Sequence, residues 1–303
     1  MINKQHLATV AIVVTSIIWG FGFVAQLIAM NYMDPFIFNA LRFALGGFSL
    51  IPLVLLMEKG PINRSTVIAG ITGGVVVFVA SGLQQFGIVL TGSAGKSSFI
   101  TGLYIILVPI LGTLSGKKAS RYVWAGAVLA TGGIYLISGP THLASLDLGT
   151  LLLMINAFCW AIHILVVDRF MGEDAKPVGF SMIQSFVCAG LSGVTALIFE
   201  NPQMEDVVSG MMPLLYAGLV SVGVAYTLQM VGQKYISPGR SAIIFSMESV
   251  VGAVGEAVIL GALLSPLGYA GGGLIFIGIL VSQLDMFSKK AKTPGFSEKV
   301  QER

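Results

Sequence analysis

Ten long apolar runs dominate the chain and restrict what it can fold into. They occupy residues 7–30, 35–57, 67–90, 94–115, 121–139, 148–168, 177–199, 208–232, 240–262 and 266–287. Each run carries few or no charges and is about as long as a helix that crosses roughly 30 Å of hydrocarbon. Only 10% of the 303 residues are Asp, Glu, Lys or Arg, whereas a soluble domain has about 25%. The chain is therefore predicted to be an integral membrane protein.

The runs are predicted to be helices and not the strands of a barrel. In lipid, every backbone amide must be hydrogen-bonded within the protein, which leaves helices or closed barrels. Barrel strands are shorter and alternate between apolar and polar residues, and these runs do neither. The 38 glycines fit close packing between membrane helices. The predicted fold class is an all-α integral membrane protein with ten transmembrane helices.

The basic residues predict the orientation of these helices. Lys and Arg accumulate in cytoplasmic loops of membrane proteins. If the N-terminus is inside, every Lys and Arg except Arg42 and Lys96 falls in a segment on the inner side. Both termini are therefore predicted to be cytoplasmic, and segment 288–303 to be a basic tail on the anionic inner leaflet. Because the basic residues do not gather on one aromatic-rich face, no nucleic-acid binding is predicted.

The chain also matches itself. Gln84 and Gln229 lie 145 positions apart in similar surroundings, and Trp19 and Trp160 lie 141 positions apart. Five helices per half is an odd number, so the second half must enter the bilayer from the opposite side. Inverted repeats of this kind are typical of secondary transporters, because two similar halves of opposite orientation can exchange conformations around a shared site. The predicted repeats span 1–141 and 142–287.

The sequence of several predicted helices resembles a known family. The stretches that carry the resemblance are IIWGFGFVAQLIA, PFIFNALRFALGGF, FITGLYIILVPILGTLSGKKASRYVWAGAVLATGGIYLI and RSAIIFSMESVVGAVGEAVILGALLSPLGYAGGGLIFIGILVS. They look like the EamA-type family of the drug/metabolite transporter superfamily, and the resemblance covers about 7–287. It implies ten helices in two inverted five-helix repeats, a central substrate cavity, and export or exchange of small metabolites such as amino acids.

The stretch LTGSAGKSS at 90–98 ends like a phosphate-binding loop, but it is not predicted to bind a nucleotide. Such a loop needs glycine where this chain has Leu90, and it must follow a strand. The stretch instead starts the fourth predicted helix, where free amides and the helix dipole attract anions. A substrate anion or an outer gate is therefore predicted at Lys96, Ser97, Ser98 and Thr101. The alternative for Lys96 is a side chain that reaches the membrane surface.

Three charged residues fall at membrane depth, where ionisable groups are costly and are therefore candidates for function. Arg42 is predicted either to face the cavity or to fix helix packing through a structural ion pair or a bond to a backbone carbonyl. Glu248 and Glu256 lie eight residues apart on one helix and are predicted to face the cavity, where a carboxylate can carry a proton or counter a cation. The alternative is that Glu248 pairs with Arg42 and that Glu256 lies near the outer surface.

Aromatic and neutral polar residues complete the predicted cavity. The matched Trp19 and Trp160 fall near the middle of their helices, away from the interface where tryptophan usually lies; they are predicted to form a cavity wall or a packing contact. His163 is predicted to be a packing residue or a proton relay. Neutral hydrogen bonds are predicted from Gln84, Gln85, Gln184, Gln229, Tyr104 and Tyr226.

These features predict a secondary transporter, and not an enzyme, in the plasma membrane of a prokaryote (the inner membrane). It exports or exchanges small amino-acid-like metabolites by alternating access. One alternative is efflux of drugs or cationic compounds, for which 13 methionines offer adaptable packing; another is a non-transporting membrane scaffold. No cofactor and no metal site are predicted. The predicted partners are a small-molecule substrate, the lipid bilayer and protons as coupling ion, with the oligomeric state open.

Overall fold

The computed structural model describes residues 4–58, 60–116, 119–138, 147–172, 174–201, 203–262 and 265–284. Within these ranges the chain is helical and contains no β-strand. The helices are α1 Lys4–Ala29, α2 Pro35–Met57, α3 Arg64–Thr91, α4 Ala94–Thr101, α5 Tyr104–Leu114, α6 Arg121–Ser138, α7 Leu148–Phe170, α8 Pro177–Phe199, α9 Met204–Ser209, α10 Met211–Leu215, a π-helical segment Tyr216–Tyr226, α11 Thr227–Gln233, α12 Pro238–Phe245, α13 Met247–Leu260 and α14 Pro266–Gln283. The predicted tail at 288–303 lies outside the described residues.

Eight helical segments of the described chain are long and apolar enough to cross a membrane. They are α1, α2, α3, α4 with α5, α7, α8, α10 through α11, and α12 with α13. Helices α6 and α14 occupy the remaining two predicted runs, but both are shorter, with 18 residues each. The described chain is therefore that of a multi-pass membrane protein.

Helices α6 and α14 pack with their backbones almost in contact. A Cβ atom built on Gly126 would lie 2.7 Å from the carbonyl oxygen of Gly278. A Cβ atom on Gly133 would lie only 2.5 Å from the carbonyl oxygen of Gly271. Small residues allow membrane helices to approach this closely and to gain van der Waals contacts along their length. These glycines therefore determine how tightly the two shorter helices dock.

Helices α2 and α8 cap each other. Glu58, which follows α2, accepts hydrogen bonds of 2.8 and 3.0 Å from two backbone amides in the first turn of α8. Glu200, which follows α8, accepts bonds of 2.8 and 2.7 Å from two backbone amides in the first turn of α2. A carboxylate at a helix N-terminus satisfies free amides and complements the helix dipole. The two helices are thus antiparallel and tied together at both ends.

Two large clusters of buried apolar side chains meet near the middle of the helices. Trp19 and Trp160 pack against both clusters. One cluster is built mainly on α5, α6, α12 and α14, and the other on α2, α3, α7, α8 and the π-helical segment. The matched tryptophans therefore lie at the junction between them, next to the cavity described below.

Candidate functional site

A cavity lies between the helices beside the two tryptophans. Nine of the candidate residues from the sequence line it, together with five others. The lining residues are Trp19, Phe23, Gln26, Arg42, Gln84, Thr101, Tyr104, Trp160, Ile164, Ser221, Tyr226, Gln229, Phe245 and Glu248. Lys96, Ser97, Ser98, His163 and Glu256 are not among them.

Two interrupted helices reach the cavity at their breaks. Helix α4 gives way to α5 at Gly102 and Leu103, and α12 gives way to α13 at Ser246. The residues at both breaks keep right-handed helical dihedral angles, and their backbone hydrogen bonds shorten to a spacing of three residues. Each break is therefore a tightened turn within a long helix, a feature that often marks a functional hinge. The residues that flank these two breaks and line the cavity are Thr101, Tyr104, Phe245 and Glu248.

The wall of the cavity is aromatic. The ring centroids of Trp19 and Trp160 are 6.4 Å apart, and Trp19 also lies 5.1 Å from Tyr226 and 5.4 Å from Phe245. The indole nitrogen of Trp19 donates a 3.2 Å hydrogen bond to the backbone carbonyl of Ser221. The two predicted roles of Trp19 are thus compatible, because one face of the indole meets the cavity while its N–H bonds to a neighbouring helix.

A chain of hydrogen bonds fixes one side of the cavity. The indole nitrogen of Trp160 donates to Oε1 of Gln84 at 2.9 Å, and Nε2 of Gln84 donates to Oε1 of Gln26 at 2.9 Å. Gln26 in turn donates to the carbonyl of Gly22 at 3.0 Å. Each amide is held by two partners, so its orientation is defined. Gln229 is not part of this chain of bonds; its Nε2 atom donates a 2.9 Å hydrogen bond to Oε1 of Gln233 on the same helix, α11.

Arg42 lines the cavity and is 4% exposed. Its guanidinium carbon lies 5.1 Å from the ring centroid of Phe38 and 4.9 Å from that of Phe43. Among the described residues, Nε of Arg42 has no hydrogen-bond partner. Arg42 forms no ion pair with Glu248 or with any other described residue, so the predicted structural pair between these two side chains is wrong.

Glu248 is 3% exposed and follows the break between α12 and α13. Its Oε1 atom accepts a 2.9 Å hydrogen bond from the hydroxyl of Tyr104, which follows the other break. A buried carboxylate needs such a donor because burial removes its hydration. The contact joins the two interrupted helices at the wall of the cavity.

His163 lies behind the cavity wall. Its Nε2 atom is 2.9 Å from Oε1 of Gln184, and its ring stands edge-on to Trp160 and Tyr226 at centroid distances of 5.6 and 6.0 Å. The side chain is fully buried. Within the described part of the chain, no group of three or more His, Cys, Asp or Glu residues is arranged to hold a metal ion. His163 therefore supports the aromatic wall from outside the cavity.

Lys96 forms an ion pair away from the cavity. Its Nζ atom lies 3.1 Å from Oδ2 of Asp147, the residue that precedes α7. The backbone and side chain of Thr150, and then Lys96, lower the pKa of Asp147 to about 2. Lys96 therefore has an anion of the protein itself as its partner, which the sequence analysis did not anticipate.

The Asp147 contacts are expected to persist at every pH at which the protein is handled. A carboxyl group whose folded pKa lies below its unfolded value of about 3.9 stabilises the fold above that value. The contribution is lost as the pH falls from about 4 towards 2. We expect Asp147→Asn to lower the thermal midpoint at pH 5 to 8, and the gap to wild type to narrow below pH 4. A gap that does not change with pH would contradict this assignment.

Glu256 occupies the start of α4, where the sequence predicted a substrate anion. Its carboxylate accepts hydrogen bonds from the hydroxyl of Ser93 at 3.0 Å and from the backbone amides of Ala94 and Gly95 at 3.2 and 2.7 Å. Glu256 and Glu248 therefore do not share the cavity, although they lie on one helix. The reason is that α13 packs against α4. Glu256, near the C-terminal end of α13, therefore reaches the free backbone amides at the start of α4, whereas Glu248, near the N-terminal end of α13, does not.

Ser97 and Ser98 serve this packing as well. The hydroxyl of Ser97 is 2.8 Å from that of Thr91, and Ser98 donates a 2.9 Å bond to the carbonyl of Gly95. Ser98 also accepts through its carbonyl from the hydroxyl of Ser249 at 2.9 Å. Both serines are fully buried. They contact helices and not the cavity.

The EamA-like transporter family matches residues 6–139 and again residues 147–284 of the chain. The chain belongs to this family. The resemblance seen in the sequence of the predicted helices is therefore confirmed. The protein is a member of a family of membrane transporters.

Relatives of this EamA-like chain are named as transporters. An uncharacterized transporter of Archaeoglobus fulgidus is 27% identical over 282 residues, which cover 93% of this chain and 87% of the relative. A probable amino-acid metabolite efflux pump of Escherichia coli is 24% identical over 294 residues, which cover 92% and 95%. A crystal structure with 19% identity superposes with a TM-score of 0.74 and covers 91% of this chain and 96% of that one. That last likeness concerns the fold alone.

Sequence reasoning missed five cavity residues of this EamA-like protein. Phe23 and Gln26 had a usable signal, because they lie four and seven positions after Trp19 and hence on the same helix face. Ile164 follows Trp160 by the same four positions. Ser221 had none, because its position depends on the π-helical segment, which sequence periodicity does not reveal. The fifth residue, Phe245, is marked only by the break that follows it.

Proposed function

We propose that this EamA-like protein is a secondary transporter that exports or exchanges small amino-acid-like metabolites by alternating access. The observation that carries the proposal is the position of the cavity. It lies at the breaks of two helices and is lined by the matched pairs Trp19 with Trp160 and Gln84 with Gln229. A site shared by two similar halves can be opened first to one side and then to the other.

The architecture we propose is ten spans in two inverted five-helix repeats with both termini in the cytoplasm of a prokaryote. Two features support it. The family matches twice, at 6–139 and 147–284, and both matches contain three long helical segments, an interrupted helix and a final short helix. The breaks also correspond, because Thr101 at the end of α4 and Ser246 lie 145 positions apart. The proposed membrane is the inner plasma membrane.

An amino-acid-like substrate fits the chemistry of the lining. The cavity combines an aromatic wall with one basic and one acidic side chain, Arg42 and Glu248, that are both buried and do not pair with each other. The name of the Escherichia coli relative, a probable amino-acid metabolite efflux pump, agrees with this class. The second candidate is efflux of organic cations, because aromatic faces and one carboxylate together attract cationic groups.

Counterflow into proteoliposomes tests the proposal. Vesicles that contain the purified protein and a high internal concentration of one unlabelled amino acid are placed in its labelled form, with and without an inward proton gradient. We expect transient accumulation of at least one amino acid above that of protein-free vesicles. Accumulation of cationic dyes alone would favour drug efflux, and no flux of either class would contradict a transport function.

Glu248→Gln shows whether the cavity carboxylate takes part. Because Glu248 contacts Tyr104 across the two breaks, we expect the neutral variant to insert and fold but to raise the half-saturation concentration for substrate about tenfold or more. If protons are the coupling ion, the variant also loses the dependence on the proton gradient. Wild-type affinity and wild-type gradient dependence together would remove Glu248 from the mechanism. Glu205→Gln, at an exposed acid of α9, is the control.

A further inference from the structure

The structure changes which residue is available to bind an anion. The sequence favoured Lys96 and the start of α4 as the anion site. In the structure, Asp147 pairs with Lys96, and Glu256 accepts hydrogen bonds from the free backbone amides at the start of α4. Both positive sites are thus satisfied by carboxylates of the protein. Arg42 is different, because none of the described residues forms an ion pair with it and its Nε atom has no hydrogen-bond partner among them.

A buried and unpaired guanidinium is expensive. Removal of an ion from water costs several kcal/mol unless a counter-charge and hydrogen bonds replace the lost hydration. An apolar residue of similar size at this position would avoid that cost. Arg42 is nevertheless 4% exposed and lines the cavity. The energetics therefore favour an acceptor that enters the cavity from outside the protein.

The guanidinium of Arg42 is also oriented. Phe38 lies one turn before Arg42 and Phe43 directly after it, and both rings lie about 5 Å from the guanidinium carbon. Cation–π contacts of this kind restrict the plane of the fork. The N-terminus of α2 is in turn tied to α8 by Glu200. A rigid, planar fork is the geometry that binds a carboxylate through two parallel hydrogen bonds.

We propose that Arg42 is the anion subsite of the cavity and binds the carboxylate of the transported metabolite. The proposal rests on the transport function proposed above. Glu248 and Tyr104 line the same cavity, and they offer oxygen atoms that can accept hydrogen bonds from the ammonium group of an amino acid. Recognition of both charges restricts the substrate to zwitterions and rejects their amides and simple amines.

The test uses ligand binding, because binding does not require transport. Trp19 and Trp160 line the cavity, so their fluorescence reports on occupancy, while the third tryptophan, Trp124, is 37% exposed and lies elsewhere. The purified full-length protein is titrated with leucine, methionine, phenylalanine and threonine and with the α-carboxamide of each. We expect wild type to bind at least one acid about 30-fold or more tightly than its amide.

Three variants separate recognition from packing. Arg42→Gln is expected to reduce the preference for the acid over the amide to about one, with the affinity for the amide unchanged. Arg42→Lys keeps a positive charge and is expected to retain part of the preference, which also covers the case that the glutamine variant does not fold. Arg121→Gln, at an exposed arginine of α6, is expected to keep the full preference.

Two results would overturn the subsite: equal binding of acid and amide by wild type, or equal weakening of both ligands in Arg42→Gln. Binding of none of the four acids would overturn it as well. Parallel counterflow distinguishes this failure from failure of the transport function. Flux that keeps its preference for the acid in Arg42→Gln would reject the subsite and leave transport intact. Binding that depends on Arg42 without any flux would support the subsite and reject the transport function.

Discussion

Gly133→Ala is expected to destabilise the protein by about 3 kcal/mol, because one added methyl group has no space between α6 and α14. The new Cβ atom would lie 2.5 Å from the carbonyl oxygen of Gly271 and 2.6 Å from a side-chain carbon of Ile275. The first contact is with backbone, which cannot move away as a flexible side chain can. The helices would have to separate and lose contacts along the interface. Thermal unfolding of the purified protein in detergent measures the effect.

Gly273→Ala is the matched control on the same helix pair. A Cβ atom at Gly273 would meet nothing within 4 Å. Alanine is also a better helix former than glycine by up to about 1 kcal/mol. We therefore expect this variant to be as stable as wild type or slightly more stable. Similar unfolding temperatures for Gly133→Ala and Gly273→Ala would contradict the close approach of the two helices.

Glu256→Gln is expected to cost about 2 kcal/mol of stability. The charged side chain accepts three hydrogen bonds at the start of α4, and bonds to a charged group contribute about 1.5–3 kcal/mol each when they can form fully. In the variant, the amide NH₂ would face backbone N–H groups, so at least one donor would lose its acceptor. The expected result is a lower unfolding temperature with the acid preference of the cavity retained.

This result distinguishes the capping role of Glu256 from the predicted role in proton coupling. A proton carrier replaced by glutamine loses gradient-driven flux while the fold keeps its stability, because a carrier must be able to exist in the neutral form. Gly95→Ala offers a second variant, because its Cβ atom would lie 2.6 Å from Oε2 of Glu256 and disturb the same cap. An unchanged unfolding temperature in both variants would contradict the cap.

Part of the site was predictable from the sequence. Charged residues and tryptophans are unusual in the middle of apolar membrane helices, and this marked four candidates: Trp19, Trp160, Arg42 and Glu248. All four line the cavity. Gln26 could have been found from its position seven residues after Trp19. Their partners were not predictable. The hydroxyl of Tyr104 reaches Glu248 only because two interrupted helices pack side by side, 144 positions apart in the chain.

The sequence by itself determined that the chain forms apolar helices and belongs to its family. Backbone amides in lipid have few ways to be satisfied, so long apolar runs leave little choice of local structure. The tertiary structure decided which charges are satisfied within the protein. Asp147 lies beside Lys96 and Glu256 lies at the start of α4, while Arg42 has no counter-ion among the described residues. These pairings depend on distances between helices that are far apart in the chain, and no local pattern of residues determines such distances.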